Sequence, residues 1–430
     1  MSLLYEKLSS LEKIKGDIFD NMLLLKIHEK LTFLALSIGK NIGKAVSMSI
    51  SHMEPMMPRL TSELISTVGT IRERIGGLNE KLHPITARAV ASVVADMNSY
   101  YSNLIEGHHT YPRDIERALQ NDFSSNPTER DKQLLGAAHV KTENAILESV
   151  SKESIFTPET LLKIHALFYA NLPESMCVSK SLSGKEYLII AGKFRNFEVS
   201  VGSHQPPAAK TLDKFIARFC EAYKSVPVGE MLIAATASHH RLAWIHPFGD
   251  GNGRVVRIFT NALLKAYDLD GCGIWSISRG LARNRNEYYA KLAIADRDRQ
   301  GNLDGRGTLS ECGLIEFCEF FLSTMLDQMD FMLGLLKLDL VINRYSRLIN
   351  ETFPKKPELY LRLIKELWVF GEMPRGKASE VTGMSERASR TILSELESKG
   401  FIKSDSPKTP VRINISAATA EQIFPNLFIG

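Results

Sequence analysis

A mainly helical protein with a single β-hairpin, followed by a small C-terminal module, is the fold class this chain predicts. Three observations carry that expectation. Apolar residues recur at three- and four-residue spacing over most of the 430 residues. One β-prone stretch interrupts them between Lys185 and Val201, and the register changes again near Lys355.

Residues 1 to about 50 read as two amphipathic helices, from Leu3, Leu4, Leu8 and Leu11 and then Met22, Leu23, Ile27 and Leu31. Glu54 to Arg59, with Pro55 and Pro58, reads as a linker. Helical periodicity resumes at Leu60 and runs to about Leu119, broken at Gly76-Gly77 and Pro84. Asp131 to Ser151 is a further helix. Thr157-Pro158-Glu159 pairs a cap with a proline at the first helical position and opens a helix to Leu172. Lys185–Ile190 and Glu198–Val201 flank Gly192-Lys193-Phe194-Arg195, which predicts a hairpin ended by Pro206-Pro207. Helices follow over Thr211–Tyr223 and Gly229–Trp244. A charge-dense loop covers Asp296–Thr308. The organisation expected is a helical segment 1–53, a core 54–345 and a module 355–430.

Composition bounds the class. Apolar content of 44% and charged content of 24% are those of an ordinary soluble globular protein. A net charge of +4 neither demands nor excludes a nucleic-acid partner. The five cysteines form no CxxC pair, so neither a disulfide framework nor a zinc ribbon is indicated. Leu31–Ile38 is too short an apolar run to span a bilayer, and the start carries no signal-peptide pattern, so a cytoplasmic location is expected.

The chemistry concentrates in His246-Pro247-Phe248-Gly249-Asp250-Gly251-Asn252-Gly253-Arg254-Val255-Val256-Arg257. Within twelve residues stand a titratable base, a hard-metal ligand, three glycines, an amide and two arginines. Val255, Val256, Ile258, Phe259 and Leu263 are spaced as a helix, so the glycine-rich loop empties into a helix start. Backbone N–H groups there form a cradle for anions. Asp-Gly-Asn-Gly is also ordinary turn chemistry, but a turn needs neither His246 before it nor Arg254 and Arg257 after it. Phe248 is expected to anchor the loop in the core. His239 and His240 on the preceding helix read either as core histidines or as ligands of a metal shared with His246.

This stretch resembles the signature of the Fic family, H-x-F-x-[DE]-G-N-G-R-x-x-R, at every fixed position. The resemblance covers about Leu60 to Leu335, and implies a Fic-type helical core with a hairpin flap. Family members are typically adenylyltransferases that move AMP from ATP onto a protein hydroxyl. The resemblance makes His246 the general base, suited by a pKa near working pH. It makes Asp250 the Mg²⁺ ligand. Gly249, Gly251, Asn252 and Gly253 would hold the α- and β-phosphates, and Arg254 and Arg257 the β- and γ-phosphates. Glycine at 253 resembles the AMP-transferring form rather than the phosphate-transferring one.

Ser102-Asn103-Leu104-Ile105-Glu106-Gly107 fits the family's inhibitory-helix pattern, [ST]-x-x-x-E-[GN]. By resemblance Glu106 takes the arginine, Arg257, that would otherwise receive the γ-phosphate. The same glutamate implies a reverse activity as well, in which it orients water for removal of AMP. Val201-Gly202-Ser203-His204 and Tyr288-Tyr289 match places where relatives meet the nucleotide. Where some relatives carry asparagine eight residues after Tyr288, this chain has Asp296, which only accepts hydrogen bonds when ionised. The hairpin resembles a flap that docks the modified segment by strand addition.

Beyond Lys355, Leu359–Phe370, Gly376–Val381 and Ser385–Lys399 read as three helices, with Thr382-Gly383-Met384 as the turn. Phe401–Lys403 and Val411–Ile415 read as two strands. The order resembles a winged helix-turn-helix module. Counting 355–412 gives twelve Lys/Arg against eight Asp/Glu, which leaves DNA binding and protein docking both open. The partners implied are therefore a protein hydroxyl, ATP and Mg²⁺, with DNA and a homodimer left open and no membrane. Three functions remain in view: protein adenylyltransferase, deadenylylase at the same site, and nucleotide-sensing transcriptional regulator.

Overall fold

The protein is described from a computed structural model, which defines residues 48–180 and 184–428. The two helices expected before residue 48 lie outside the described residues. The described residues from Ser49 onward form one compact unit.

The helices begin where cap chemistry says they should. Helix α1 (Ser62–Asn79) starts at Thr61, whose side chain accepts from the Leu64 N–H. It runs through Gly76-Gly77 without a break, because its buried stripe (Leu64, Val68, Ile71, Ile75, Leu78) packs along α11 (Glu311–Leu335). Tertiary packing thus overrides two glycines that cost about 1 kcal/mol each. Helix α2 (Pro84–Ile105) has proline at its first turn and is sheathed by α4 (Pro127–Leu147), α8 (Asn252–Ala266) and α9 (Ile277–Arg283). Between them lie α3 (Pro112–Leu119) and, after α4, α5 (Pro158–Ala170), which is capped by Thr157 as the sequence implies. Helices α6 (Leu212–Lys224), α7 (Met231–Ile245) and α10 (Arg285–Ala295) complete the core. Fourteen of the fifteen α7 residues are buried, and its apolar character runs all round, which marks it as the central helix.

Two expectations are corrected. The hairpin pairs β1 (Val178–Lys180) with β2 (Glu186–Leu188), antiparallel with Ser179 opposite Tyr187, and not 185–190 with 198–201. The downstream segment leaves the sheet because Arg195 is drawn inward to three carbonyls and Phe197 stacks on Tyr187 at 4.2 Å. Glu54–Arg59 is not a loose linker. Arg241, fully buried, donates to the Pro55 carbonyl through Nε and Nη2 at 3.0 and 2.8 Å, and Arg218 pairs with Glu54 at 2.6 Å.

The C-terminal segment contains α12 (Leu338–Thr352), α13 (Pro357–Phe370), β3 (Glu372–Met373), α14 (Ala378–Thr382), α15 (Glu386–Ser398), β4 (Ile402–Lys403), β5 (Val411–Ile413) and α16 (Ala417–Ile423). The three strands form one antiparallel sheet in the order β3-β5-β4. Gly383, at φ +72°, makes the left-handed turn between α14 and α15, and Ser385 caps the latter. Strand β3 has no counterpart in the sequence reading. Helix α13 and β5 pack against α2, and α16 packs against α3. Among the described residues no helix is long and apolar enough to cross a membrane.

Candidate active site

Helix α7 ends at Ile245, and His246 takes a left-handed conformation (φ +49°, ψ +60°) that turns the chain out of the helix. Such a conformation is costly for a residue with a Cβ and persists only where surroundings impose it. Here Arg195 Nε donates to the His246 carbonyl at 2.9 Å, and Pro247 follows at once. Burial pushes the imidazole down to about 4, against a hydrogen bond to the Ala243 carbonyl that favours the charged form. The ring is therefore neutral at neutral pH, the state a proton acceptor requires.

The loop is held from inside. Phe248 is fully buried and stacks on His165 at 4.1 Å. Asn252 Oδ1 accepts from the Phe248 N–H and its Nδ2 donates to the Phe248 carbonyl, both at 2.9 Å. Both polar atoms of Asn252 thus brace the turn, which leaves the second Nδ2 hydrogen and the main-chain N–H for an anion. Gly251 (φ +78°) leads into α8, and a Cβ there would press on the Tyr169 ring at 3.0 Å. Gly249 passes beneath Phe197, and its carbonyl accepts from Ser179 of the hairpin at 2.7 Å. The first N–H groups of α8 lack intrahelical partners, as at any helix start.

Asp250 is exposed on this loop, with Oδ2 accepting from Tyr169 Oη at 2.8 Å. Burial of the surroundings works against its ionisation, but Arg254 and the tyrosine outweigh it and hold the carboxyl below its ordinary range. One exposed carboxylate beside a run of unpartnered N–H groups fits a divalent cation that shares its shell with phosphate oxygens. Among the described residues no cluster of three or more His, Cys, Asp and Glu groups forms a closed metal site. Arg254 is 6% exposed, lies over the Phe168 ring at 5.1 Å, and its Nε has no hydrogen-bond partner. A buried guanidinium left this way suits an incoming anion.

Arg257 is gripped chiefly by α2. Its Nε donates to Ser102 Oγ at 2.8 Å, and Nη2 donates to the Ser102 carbonyl at 2.9 Å and to Glu106 Oε1 at 2.6 Å. Glu106 ends α2 directly over Gly253, where any Cβ would run into its carboxylate. Burial opposes ionisation of Glu106, yet Arg257 and then Arg254 prevail and keep it below the ordinary carboxylate range. The carboxylate therefore sits across the start of α8 as an anion.

The remaining sequence-predicted residues divide. Val201 and His204 form an isolated β-bridge around Gly202 and Ser203, and His204 Nε2 lies 2.7 Å from the Trp244 carbonyl, beside the end of α7. Tyr288 is 3% exposed, and its hydroxyl meets His239 Nε2 at 2.8 Å and also interacts with Arg257. Tyr289 is 42% exposed, and its hydroxyl donates to the Ile105 carbonyl at 3.2 Å, next to Glu106. His239 also contacts Thr260 at 2.8 Å, while His240 pairs with Asp296 at 3.0 Å. Both histidines are satisfied core groups, and Asp296 is occupied by His240. Sequence reasoning missed Tyr169 and Arg195. The signal for Arg195 was a charge between Phe194 and Phe197; Tyr169 left none.

Residues 155–264 match the model of the Fic/DOC family. This segment, well under half of the chain, is similar to a Fic domain. The chain is 26% identical over 216 residues to "Protein adenylyltransferase Fic" of Nematostella vectensis, covering 49% of this chain and 46% of that protein. It is 27% identical over 266 residues to the protein of the same name from Culex quinquefasciatus, covering 59% and 49%. The chain thus spans about half the length of the curated relatives it matches. A crystal structure of a Fic family protein from Desulfovibrio desulfuricans G20 aligns at TM-score 0.49 and 18% identity, over 83% of this chain and 97% of that one.

Proposed function

We propose that the protein is a self-inhibited adenylyltransferase that moves AMP from ATP to a hydroxyl of a protein. The observation that carries this is the geometry of Arg257, held by Glu106 at a glycine-rich helix start that follows directly on the loop of a neutral His246. In the transfer, the target hydroxyl oxygen attacks the α-phosphorus as its proton passes to His246. The bond to the β-phosphate oxygen breaks, and pyrophosphate leaves. Asp250 would hold Mg²⁺, whose charge would offset that developing on the leaving group. The first N–H groups of α8 and Arg254 would hold the phosphates, and β1–β2 the target backbone.

Inhibition is a competition for one guanidinium. A triphosphate cannot use Arg257 in the same geometry as Glu106, and the two anions would repel each other over Gly253. Incubating Glu106→Gly protein with α-labelled ATP should label protein strongly, wild type weakly, and Glu106→Gly/His246→Ala not at all. Equal labelling by the double variant sinks the reading. Loss of AMP from a modified partner, dependent on Glu106, would show that the site runs in the deadenylylase direction.

The order α13-β3-α14-α15-β4-β5 supports reading the C-terminal segment as a winged helix-turn-helix. Exposed Arg387, Arg390 and Thr391 on one face of α15 are the groups that would meet DNA, although Glu386 pairs with Arg390 at 3.0 Å. Salt-dependent retention on DNA, lost on Arg387→Ala, tests that second role.

A further inference from the structure

The loop between α7 and α8 sorts its backbone groups by polarity. Four successive carbonyls, from His246 to Gly249, each accept a hydrogen bond from a protein donor. Arg195 serves the first two, through Nε to His246 and through its main-chain N–H to Pro247, both at 2.9 Å. Asn252 Nδ2 serves Phe248 at 2.9 Å, and Ser179 Oγ serves Gly249 at 2.7 Å. The N–H groups of Gly249 and Asp250, by contrast, meet no acceptor among the described residues. A planar trans peptide points its N–H opposite to its carbonyl. Each donor that draws a carbonyl toward itself therefore turns the following N–H the other way.

Ser179 differs from the other donors in where it stands. Arg195 and Asn252 are each 4% exposed. Ser179 is half-buried on β1, directly opposite Tyr187 in the hairpin. Tyr187 stacks on Phe197 at 4.2 Å, and a Cβ on Gly249 would come within 2.8 Å of that same ring. One cross-strand pair of the hairpin thus grips Gly249 twice, by a hydrogen bond and through a ring. Gly249 has no side chain of its own to restrict the peptide that follows. Among the described residues the serine hydroxyl is the sole hydrogen-bond donor to its carbonyl.

We infer that Ser179 is a positioning residue for the nucleotide: its hydroxyl holds the Gly249–Asp250 peptide so that the Asp250 N–H faces the phosphates. That N–H would join the first N–H groups of α8 in holding the triphosphate. The hairpin then serves two ligands at once. Its edge takes the target backbone, and its serine completes the phosphate cradle, so the cradle is whole only while the hairpin is seated. The identity of the anion rests on the adenylyltransferase reading.

Calorimetric titration with ATP and Mg²⁺ tests this in Glu106→Gly/His246→Ala protein, which lacks the inhibitory carboxylate and the base. Ser179→Ala should weaken ATP about tenfold, the worth of one hydrogen bond to a charged group. Ser179→Thr keeps a hydroxyl on a β-branched residue suited to a strand, and should stay within about twofold of the parent. In Glu106→Gly protein with His246 intact, the same alanine should raise KM for ATP about tenfold. Equal ATP affinity of Ser179→Ala and its parent overturns the inference, even where labelling slows, because the hydroxyl then only holds the hairpin. A loss in Ser179→Thr as large as that in Ser179→Ala also overturns it, by assigning the effect to packing. Absence of ATP binding by the parent overturns both this inference and the adenylyltransferase reading. If Glu106→Gly protein binds ATP but labels nothing, that reading alone fails, and the titrations still decide the role of Ser179.

Discussion

Tyr101 donates its hydroxyl hydrogen to the Leu427 carbonyl at 3.0 Å, one residue before the serine that holds Arg257. Arg279 Nη2 donates to the neighbouring Asn426 carbonyl at 2.7 Å, and Phe428 meets Tyr100 edge-on at 6.2 Å. At the opposite end of α2, Thr86 Oγ1 donates to the Trp368 carbonyl at 3.0 Å. Helix α2 is thus braced at both ends by the C-terminal segment, and its position is a property of the whole described fold. Tyr101→Phe keeps the ring and removes one buried hydrogen bond, worth about 1 kcal/mol. Thermal unfolding should register that loss. If the brace seats Glu106, AMP transfer should rise up to about fivefold with Glu106 present and not at all in Glu106→Gly. A rise in both backgrounds would place the effect elsewhere.

Asn252 separates a structural role from a phosphate contact. Its amide satisfies both main-chain groups of Phe248, one by accepting and one by donating. Asn252→Asp retains the acceptor but sets a carboxylate against the Phe248 carbonyl inside a buried turn, a loss of about 2–3 kcal/mol. A favourable helix-dipole effect offsets only a few tenths of that. Asn252→Ala leaves both main-chain groups unpaired, at about 2 kcal/mol. Calorimetric unfolding without nucleotide should report both losses. An unchanged Tm with weakened ATP binding would assign the side chain to the phosphates instead.

Acid should unfold the protein through its histidines before its carboxylates. Burial holds His139 at about 3, and His165 and His246 at about 4, and pushes His239 well down. Each folded-state value lies below the ordinary 6.5, so the unfolded chain takes up protons that the native one refuses. Their contribution is complete above pH 6.5 and is lost as pH falls from there toward 4, by up to about 1.4 kcal/mol per pH unit per histidine. Glu106 and Asp250 are lowered as well, but their contribution starts to be lost only as pH falls through the ordinary carboxylate range. Tm should therefore fall steadily between pH 6.5 and 4.5. His139 has no hydrogen-bond partner at either ring nitrogen, so His139→Leu should retain neutral-pH stability and make the acid slope shallower. An unaltered slope would show that this histidine titrates normally.

The parts of the site that were legible in the sequence are those set by local chemistry. Thr157 before Pro158, Gly251 before α8 and Ser385 before α15 announce their elements through caps and turns. The Ser102–Glu106 pair was legible through its spacing, and its partner Arg257 through resemblance. Groups whose roles depend on distant chain were not legible. Tyr169 lies 81 residues from Asp250, and nothing in its neighbourhood marks it as the donor to that carboxylate. The hairpin was misplaced because Glu198–Val201 has strand composition but follows Phe197 into the core. Tyr288-Tyr289 looked like one feature, yet helical geometry sends one ring to His239 and the other to the end of α2.

Arg195 ties that region to the loop that carries His246. Its guanidinium is 4% exposed and spans three carbonyls: His246 at 2.9 Å through Nε, Phe197 at 3.1 Å through Nη1, and Pro207 at 2.6 Å through Nη2. Burial lowers its pKa to about 10, which still leaves it charged at neutral pH. A planar fork meets three acceptors at fixed angles, and an ammonium on a flexible stem does not. Arg195→Lys therefore keeps the charge but leaves buried carbonyls unsatisfied, at about 2 kcal/mol. One of them is the carbonyl of the residue proposed as the base, held in its left-handed conformation. In the Glu106→Gly background the lysine variant should lose AMP transfer through kcat by about tenfold or more, with KM for ATP little changed. A loss confined to KM would mean that the clamp shapes the nucleotide pocket and leaves His246 where it is.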